Sequence, residues 1–168
     1  NADIAYRIGR AFAQYLGAKR ICLGRDIRLS SPELSDAVAR GINDAGADVI
    51  DIGLVGTEEI YFATFNNDVD GGVVVTASHN PIDYNGMKLV REGSKPISGD
   101  TGLHAIKALA ESEEFTEPSS RGSISHLDSR ADYVEHLLGY IDPKKLSGLN
   151  VVVTVSYTHL RAHETNQD

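Results

Sequence analysis

Positive charge and cysteine are scarce in this sequence, and long apolar runs are missing altogether. Lys and Arg number 16 against 24 Asp and Glu, a formal net charge of −8. Binding a polyanion requires clustered Lys and Arg to neutralise its phosphates, so nucleic acid is not an expected partner. Any phosphate the protein handles has to be held by a local cationic cluster working against the overall field. The single cysteine, Cys22, cannot close an internal disulfide, and its place in Ile21-Cys22-Leu23 marks it as a small buried hydrophobe. No stretch approaches the roughly 20 apolar residues of a membrane-spanning helix, and no basic-then-apolar secretion signal opens the chain. The expectation is a protein without a membrane partner, located in the cytoplasm. A Gly-x-x-x-x-Gly-Lys-Ser/Thr loop is also missing, which removes the P-loop NTPases, and there is neither an internal repeat nor a long low-complexity run.

What is present is a chain of 168 residues, 41% hydrophobic, enough for one compact domain of common size. Ile4, Ile8, Ala11, Phe12 and Tyr15 recur at helical spacing from Asp3 to Leu16, and Gly17 supplies a stop. Arg20 to Gly24 reads as a short buried strand running into the polar loop Arg25-Asp26-Ile27-Arg28. A second helix follows, with Ser30 or Ser31 as its cap, Pro32 in its first turn, Glu33 completing a capping box with Ser30, and Gly46 at its end. Asp48 to Leu54 is a second strand, Thr57 caps a helix to about Phe65, and Gly72 to Thr76 is a third strand. Its core Val73-Val74-Val75 is apolar at successive positions, as a strand covered on both faces requires. Gly86 to Val90 reads as another strand, followed by helices at Thr101 to Ser112 and Asp128 to Leu138 across a polar surface connection from Glu113 to Ser125. Alternating strands and helices at this spacing predict an α/β fold, with three α/β/α layers around a mainly parallel mixed sheet.

The segment Thr76-Ala77-Ser78-His79-Asn80-Pro81 follows the C-terminal end of that apolar strand, where ligands bind in open α/β sheets. Pro81 keeps Asn80 out of helix, so the loop can present Ser78 and neighbouring N–H groups to an anion. A hydrolase elbow is excluded, since Thr76 and Asn80 stand where Gly-x-Ser-x-Gly needs glycines. In an extended segment His79 also points away from Ser78, which makes it a poor base for that hydroxyl. Lys88 follows a turn that folds the chain back beside Ser78. There it could stabilise phosphoryl charge or exchange a proton with a hydroxyl. Arg25 and Arg28 leave the first strand at the same sheet edge, and with Lys88 and Arg91 they make up the expected cationic cluster. Asp68 and Asp70 read as a solvated turn. His104, His126 and His136 read as surface or cap residues, and the metal-like spacing of His159 and His163 lacks further ligands.

The hexapeptide at Thr76 to Pro81 resembles the active-serine loop of the α-D-phosphohexomutases. The likeness extends through Gly24-Arg25-Asp26-Ile27-Arg28, Gly56-Thr57-Glu58-Glu59, Gly71-Gly72-Val73 and Tyr84-Asn85-Gly86-Met87-Lys88, and covers about Asp3 to Val153. Gly56 to Thr64 and Lys95-Pro96-Ile97-Ser98-Gly99-Asp100 are similar to the bacterial phosphomannomutase branch of that family. The resemblance implies a phosphoserine at residue 78 that exchanges its phosphoryl group with hexose phosphates. It implies mannose 1-phosphate and mannose 6-phosphate as substrates, interconverted through a hexose 1,6-bisphosphate, or a dual mannose and glucose specificity. It further implies Mg²⁺ bound through a phosphate oxygen on Ser78, Lys88 as proton-transfer or electrostatic partner, His79 against phosphate or substrate, and support from Arg25, Arg28 and Asn80. A non-catalytic phosphate-binding module is the alternative.

The departures from the family pattern carry expectations of their own. The aspartate-rich metal loop, the sugar-recognition loop and a Tyr-Asp-Ile-Arg-Gly motif are not found, so the chain alone is expected to be inactive. Residues 1–148 are expected to form the phosphoserine-bearing domain without its first strand segment, 149–153 to open a second domain, and 154–168 to be a non-native tail.

Overall fold

The computed structural model describes residues 1–146, 148 and 150; the expected second-domain strand and tail lie outside the described residues. Along the described residues the α-helices and strands follow in the order α1 (Ala2–Leu16), β1 (Arg20–Arg25), α2 (Ser31–Asp44), β2 (Asp48–Leu54), α3 (Thr57–Asn66), β3 (Gly71–Val75), β4 (Met87–Arg91), β5 (Lys95–Pro96), α4 (Leu103–Ser112), β6 (Ile124–His126) and α5 (Arg130–Leu138). They build one six-stranded sheet in the order β5-β4-β3-β1-β2-β6. The β3-β1-β2-β6 ladder is parallel, while β4 and β5 return antiparallel at one edge.

Side-chain alternation along the strands sorts the core into two layers. Ile21 and Leu23 of β1, with Val73 and Val75 of β3, pack under α1, α2 and α4 around the fully buried Phe12. Removing that ring would cost about 3–5 kcal/mol. Cys22 and Val74 point to the opposite face, against Ile60 and Ala63 of α3. The three-layer α/β/α expectation therefore holds, with β1 and β3 central and covered on both sides. On the first face α1 and α2 touch through glycines. A Cβ built on Gly41 would stand 2.1 Å from the Tyr6 carbonyl oxygen, so only glycine permits that approach.

Three local expectations are corrected. The connection after α4 contains β6, which extends the sheet beside β2. Ser30 occupies the N-cap of α2 without a side-chain capping bond, because its hydroxyl instead receives the Asn85 amide at 2.9 Å. The cap of α3 is Gly56, whose N–H donates to Glu59 Oε2 at 2.7 Å, rather than Thr57.

Candidate active site

At the C-terminal edge of the sheet the chain leaves β3 through Thr76, whose N–H donates to the Gly86 carbonyl at 2.9 Å. That bond continues the β3–β4 ladder by one pair and fixes the 85–88 segment beside the serine loop. Beyond it the backbone turns sharply at Ser78, which has a φ of +52°, left-handed for a residue other than glycine. The Ser78 N–H is received by Thr76 Oγ1 at 2.9 Å. The Asn80 N–H and side-chain amide both donate to the Ala77 carbonyl, at 3.0 and 2.8 Å. A second turn closes with Tyr84 N–H on the Pro81 carbonyl at 3.0 Å. The loop is thus turned rather than extended at Ser78. The side chains of Ser78 and His79 share no hydrogen bond.

Arg28 sits under this loop at 7% exposure. Its Nη2 donates to the Ser78 and Asn80 carbonyls, both at 2.8 Å, and its Nη1 to those of Pro81 and Tyr84, at 2.5 and 3.0 Å. The remaining donor, Nε, meets Asp26 Oδ2 at 3.2 Å. All five guanidinium N–H groups are committed, and none faces the cleft as the expected cationic cluster would need. Asp26, read from the sequence only as an ion-pair partner for the loop arginines, holds the network together by accepting the Arg28 N–H at 3.0 Å and the Ser31 hydroxyl at 2.5 Å. Burial alone would raise its pKa. Hydrogen bonds from Ser31, the Arg28 backbone and Thr76, with the charge of Arg28, outweigh burial and hold the carboxyl below its ordinary range. The detectable signal was the Asp-x-Arg spacing just after a strand, which lets an Asp side chain cap the N–H two residues on.

Arg28, Ser78, His79 and Asn80 line one cleft of about 550 Å³, closed opposite by Gly56 and Thr57 at the start of α3. The serine, His79 and Asn80 are exposed there. A larger groove of about 630 Å³ between α1 and α4 holds none of the candidate side chains and is mostly apolar. Lys88 pairs with Val74 across the β3–β4 ladder and is exposed on the face that α3 covers, and it is not among the residues that line the cleft. Arg25 is half-buried at the end of β1, its guanidinium 3.7 Å from Asp51. Arg91 is a correction. It pairs with Gly71 at the opposite end of β3 from the loop and binds Glu92 at 2.9 Å, so it belongs to no cluster around Ser78. His136 packs among the rings of Phe62, Phe65 and Tyr140. Asp70 receives the N–H groups of Lys19 and Arg20, and is structural.

The family profile described as phosphoglucomutase/phosphomannomutase, alpha/beta/alpha domain I, matches residues 1–117. The chain belongs to that family. It is 57% identical over 155 residues to a phosphomannomutase of Escherichia coli, covering 91% of this chain and 34% of that protein. A phosphomannomutase of Klebsiella pneumoniae is 58% identical over 137 residues, covering 80% of this chain and 87% of the relative. Among solved structures, a phosphoglucomutase/phosphomannomutase family protein from Burkholderia thailandensis superposes with a TM-score of 0.75 at 39% identity, covering 83% of this chain and 32% of the other. The chain therefore spans about a third of the length of the Escherichia coli relative. The described side chains do not by themselves provide a site for Mg²⁺. No group of three or more His, Cys, Asp or Glu gathers among the described residues.

Proposed function

We propose that Ser78 is the phosphoryl carrier of a phosphomannomutase that interconverts mannose 6-phosphate and mannose 1-phosphate. The observation that carries this reading is the exposed Ser78, set beyond the end of β3 on a loop fastened from below by Arg28 and from the side by Gly86. Serine suits the role because its phosphate monoester persists in water until a positioned acceptor arrives. In the first half-reaction a sugar hydroxyl oxygen bonds to phosphorus, the P–Oγ bond breaks, and the hydroxyl proton is replaced on Ser78 Oγ. The resulting hexose 1,6-bisphosphate reverses, Ser78 Oγ bonds to the other phosphorus as its bond to the sugar oxygen breaks, and that oxygen takes the Oγ proton.

Lys88, exposed beside the loop, supplies positive charge to the transferring group or exchanges the hydroxyl proton. His79 and Asn80, on the cleft wall, are placed to touch phosphate or sugar. Arg25, at the adjoining strand end, adds positive potential. Mg²⁺, if held by the phosphorylated Ser78, would supply charge neutralisation to the transferring group. The cytoplasm, where hexose phosphates are held, is the proposed location.

The test replaces the matching segment of the Escherichia coli phosphomannomutase with residues 1–146 of this chain. The expected chimera turns over mannose 1-phosphate, and Ser78→Ala reduces the rate to background. A Ser78→Ala chimera that keeps its rate, or a folded chimera without turnover, contradicts the proposal.

A further inference from the structure

We propose that Arg28 is a positioning residue that turns two backbone N–H groups, those of His79 and Ile82, toward the cleft as a cradle for the phosphoryl group; this rests on the reading of Ser78 as its carrier. A planar trans peptide points its carbonyl and the next residue's N–H in opposite directions, and no peptide among the described residues is cis. The Ser78 carbonyl is drawn inward onto Arg28 Nη2, so the His79 N–H points away from the guanidinium. The Pro81 carbonyl is drawn onto Nη1, which turns the Ile82 N–H outward in the same way. Of the other two captured carbonyls, that of Asn80 precedes Pro81, which has no N–H to orient, and that of Tyr84 turns the N–H of Asn85, a residue outside the cleft lining.

The N–H groups of Ala77, Asp83 and Asn85 also donate to no partner among the described residues, but those residues do not line the cleft, and the loop's other donors are committed. Ser78, Asn80 and Tyr84 give their N–H groups to Thr76, Ala77 and Pro81. Among the described residues, those of His79 and Ile82 have no hydrogen-bond partner, and both residues line the cleft with Ser78. A left-handed residue within a turn creates this kind of anion-binding concavity. With the Arg28 charge offset by Asp26 at 3.2 Å, what an incoming anion meets is a pair of oriented dipoles rather than a free cation. Donors fixed in advance need no reorganisation when charge develops on the phosphoryl oxygens.

The chemistry separates this role from direct phosphate binding. A lysine at position 28 would keep the positive charge but offers three donors on one nitrogen, so it cannot gather four carbonyls. The experiment is a titration of the ¹⁵N-labelled chain with inorganic phosphate, followed through backbone amides, for wild type, Arg28→Lys and Ile82→Pro. Ile82 is the second residue of the turn closed by Tyr84 and Pro81, a position that favours proline, so Ile82→Pro deletes one cradle donor while keeping the turn.

Wild type is expected to show saturable shifts centred on His79 and Ile82, and each variant to bind about tenfold more weakly, the worth of one hydrogen bond to a charged group. Unchanged β1 and β3 amides report that the fold is kept. Should Arg28→Lys lose those signals, Ile82→Pro decides alone. Wild type without saturable shifts at the two amides, or variants that bind as wild type does, overturns the cradle. An active chimera with silent amides sinks only the cradle, whereas an inactive chimera with responsive amides sinks only the carrier reading.

Discussion

The Arg28 guanidinium reaches the Ser78 carbonyl at 2.8 Å, so the residue offered as phosphoryl carrier is held from behind by a buried cation. The hydroxyl is left free in the cleft while its own backbone is fixed. A hydrogen-bonded main chain beneath an exposed side chain is what a group that must be phosphorylated and discharged repeatedly requires.

Backbone strain at this point yields the first prediction. Ser78 adopts a φ of +52°, which penalises a side chain by about 1 kcal/mol and penalises glycine little. Ser78→Gly should therefore be more stable than Ser78→Ala by about that amount in urea unfolding, although both lack the hydroxyl. Equal midpoints would show that the loop relaxes out of the left-handed region.

Asp26 links the site to acid. Its pKa is held below the unfolded value of about 3.9, so its contribution is fully present above that pH and is lost as pH falls through the folded value. Asp26→Asn should cost about 1–3 kcal/mol near neutral pH, by unpairing Arg28 and weakening the Ser31 bond. The gap to wild type should close at pH values below about 3.9. A gap in urea stability that stays constant with pH would refute the assignment.

Lys88 is expected to act on the transferring group rather than on affinity. In the chimera, Lys88→Met should lower kcat by about 10²–10⁴, the usual worth of a proton-transfer or charge-stabilising group, and leave KM little changed. A rise in KM at constant kcat would assign Lys88 to ground-state binding instead.

Much of this architecture was legible in the residues. The unbroken apolar core of β3 and the alternation Ile21, Cys22, Leu23 announced central strands covered on both faces, and the serine loop followed from its position after β3. β6 escaped notice because it has only three residues, all exposed, of which Ile124 alone is apolar. Arg91 was misplaced for want of a count. An antiparallel strand of five residues that begins beside Val75 must carry its last residue to the far end of β3. The inward turn of Arg28 was beyond local reading, since its carbonyl partners lie 50 to 56 positions away in sequence.

Cys22 offers a check on the sheet's interior. Burial pushes its thiol up to about 12, which leaves almost no thiolate at neutral pH. Iodoacetamide should leave the native chain unmodified and alkylate it fully in denaturant. Rapid native alkylation would mean that β1 is not covered by α3.

The most direct measurement of the central claim is the fate of labelled phosphate in the working chimera. Incubated with a ³²P-labelled hexose 1,6-bisphosphate and Mg²⁺, then acid-quenched and digested, it should carry label on the peptide containing Ser78, and addition of unlabelled mannose 6-phosphate should chase that label into sugar. Turnover without label at Ser78, or label there that no sugar phosphate removes, would contradict the account.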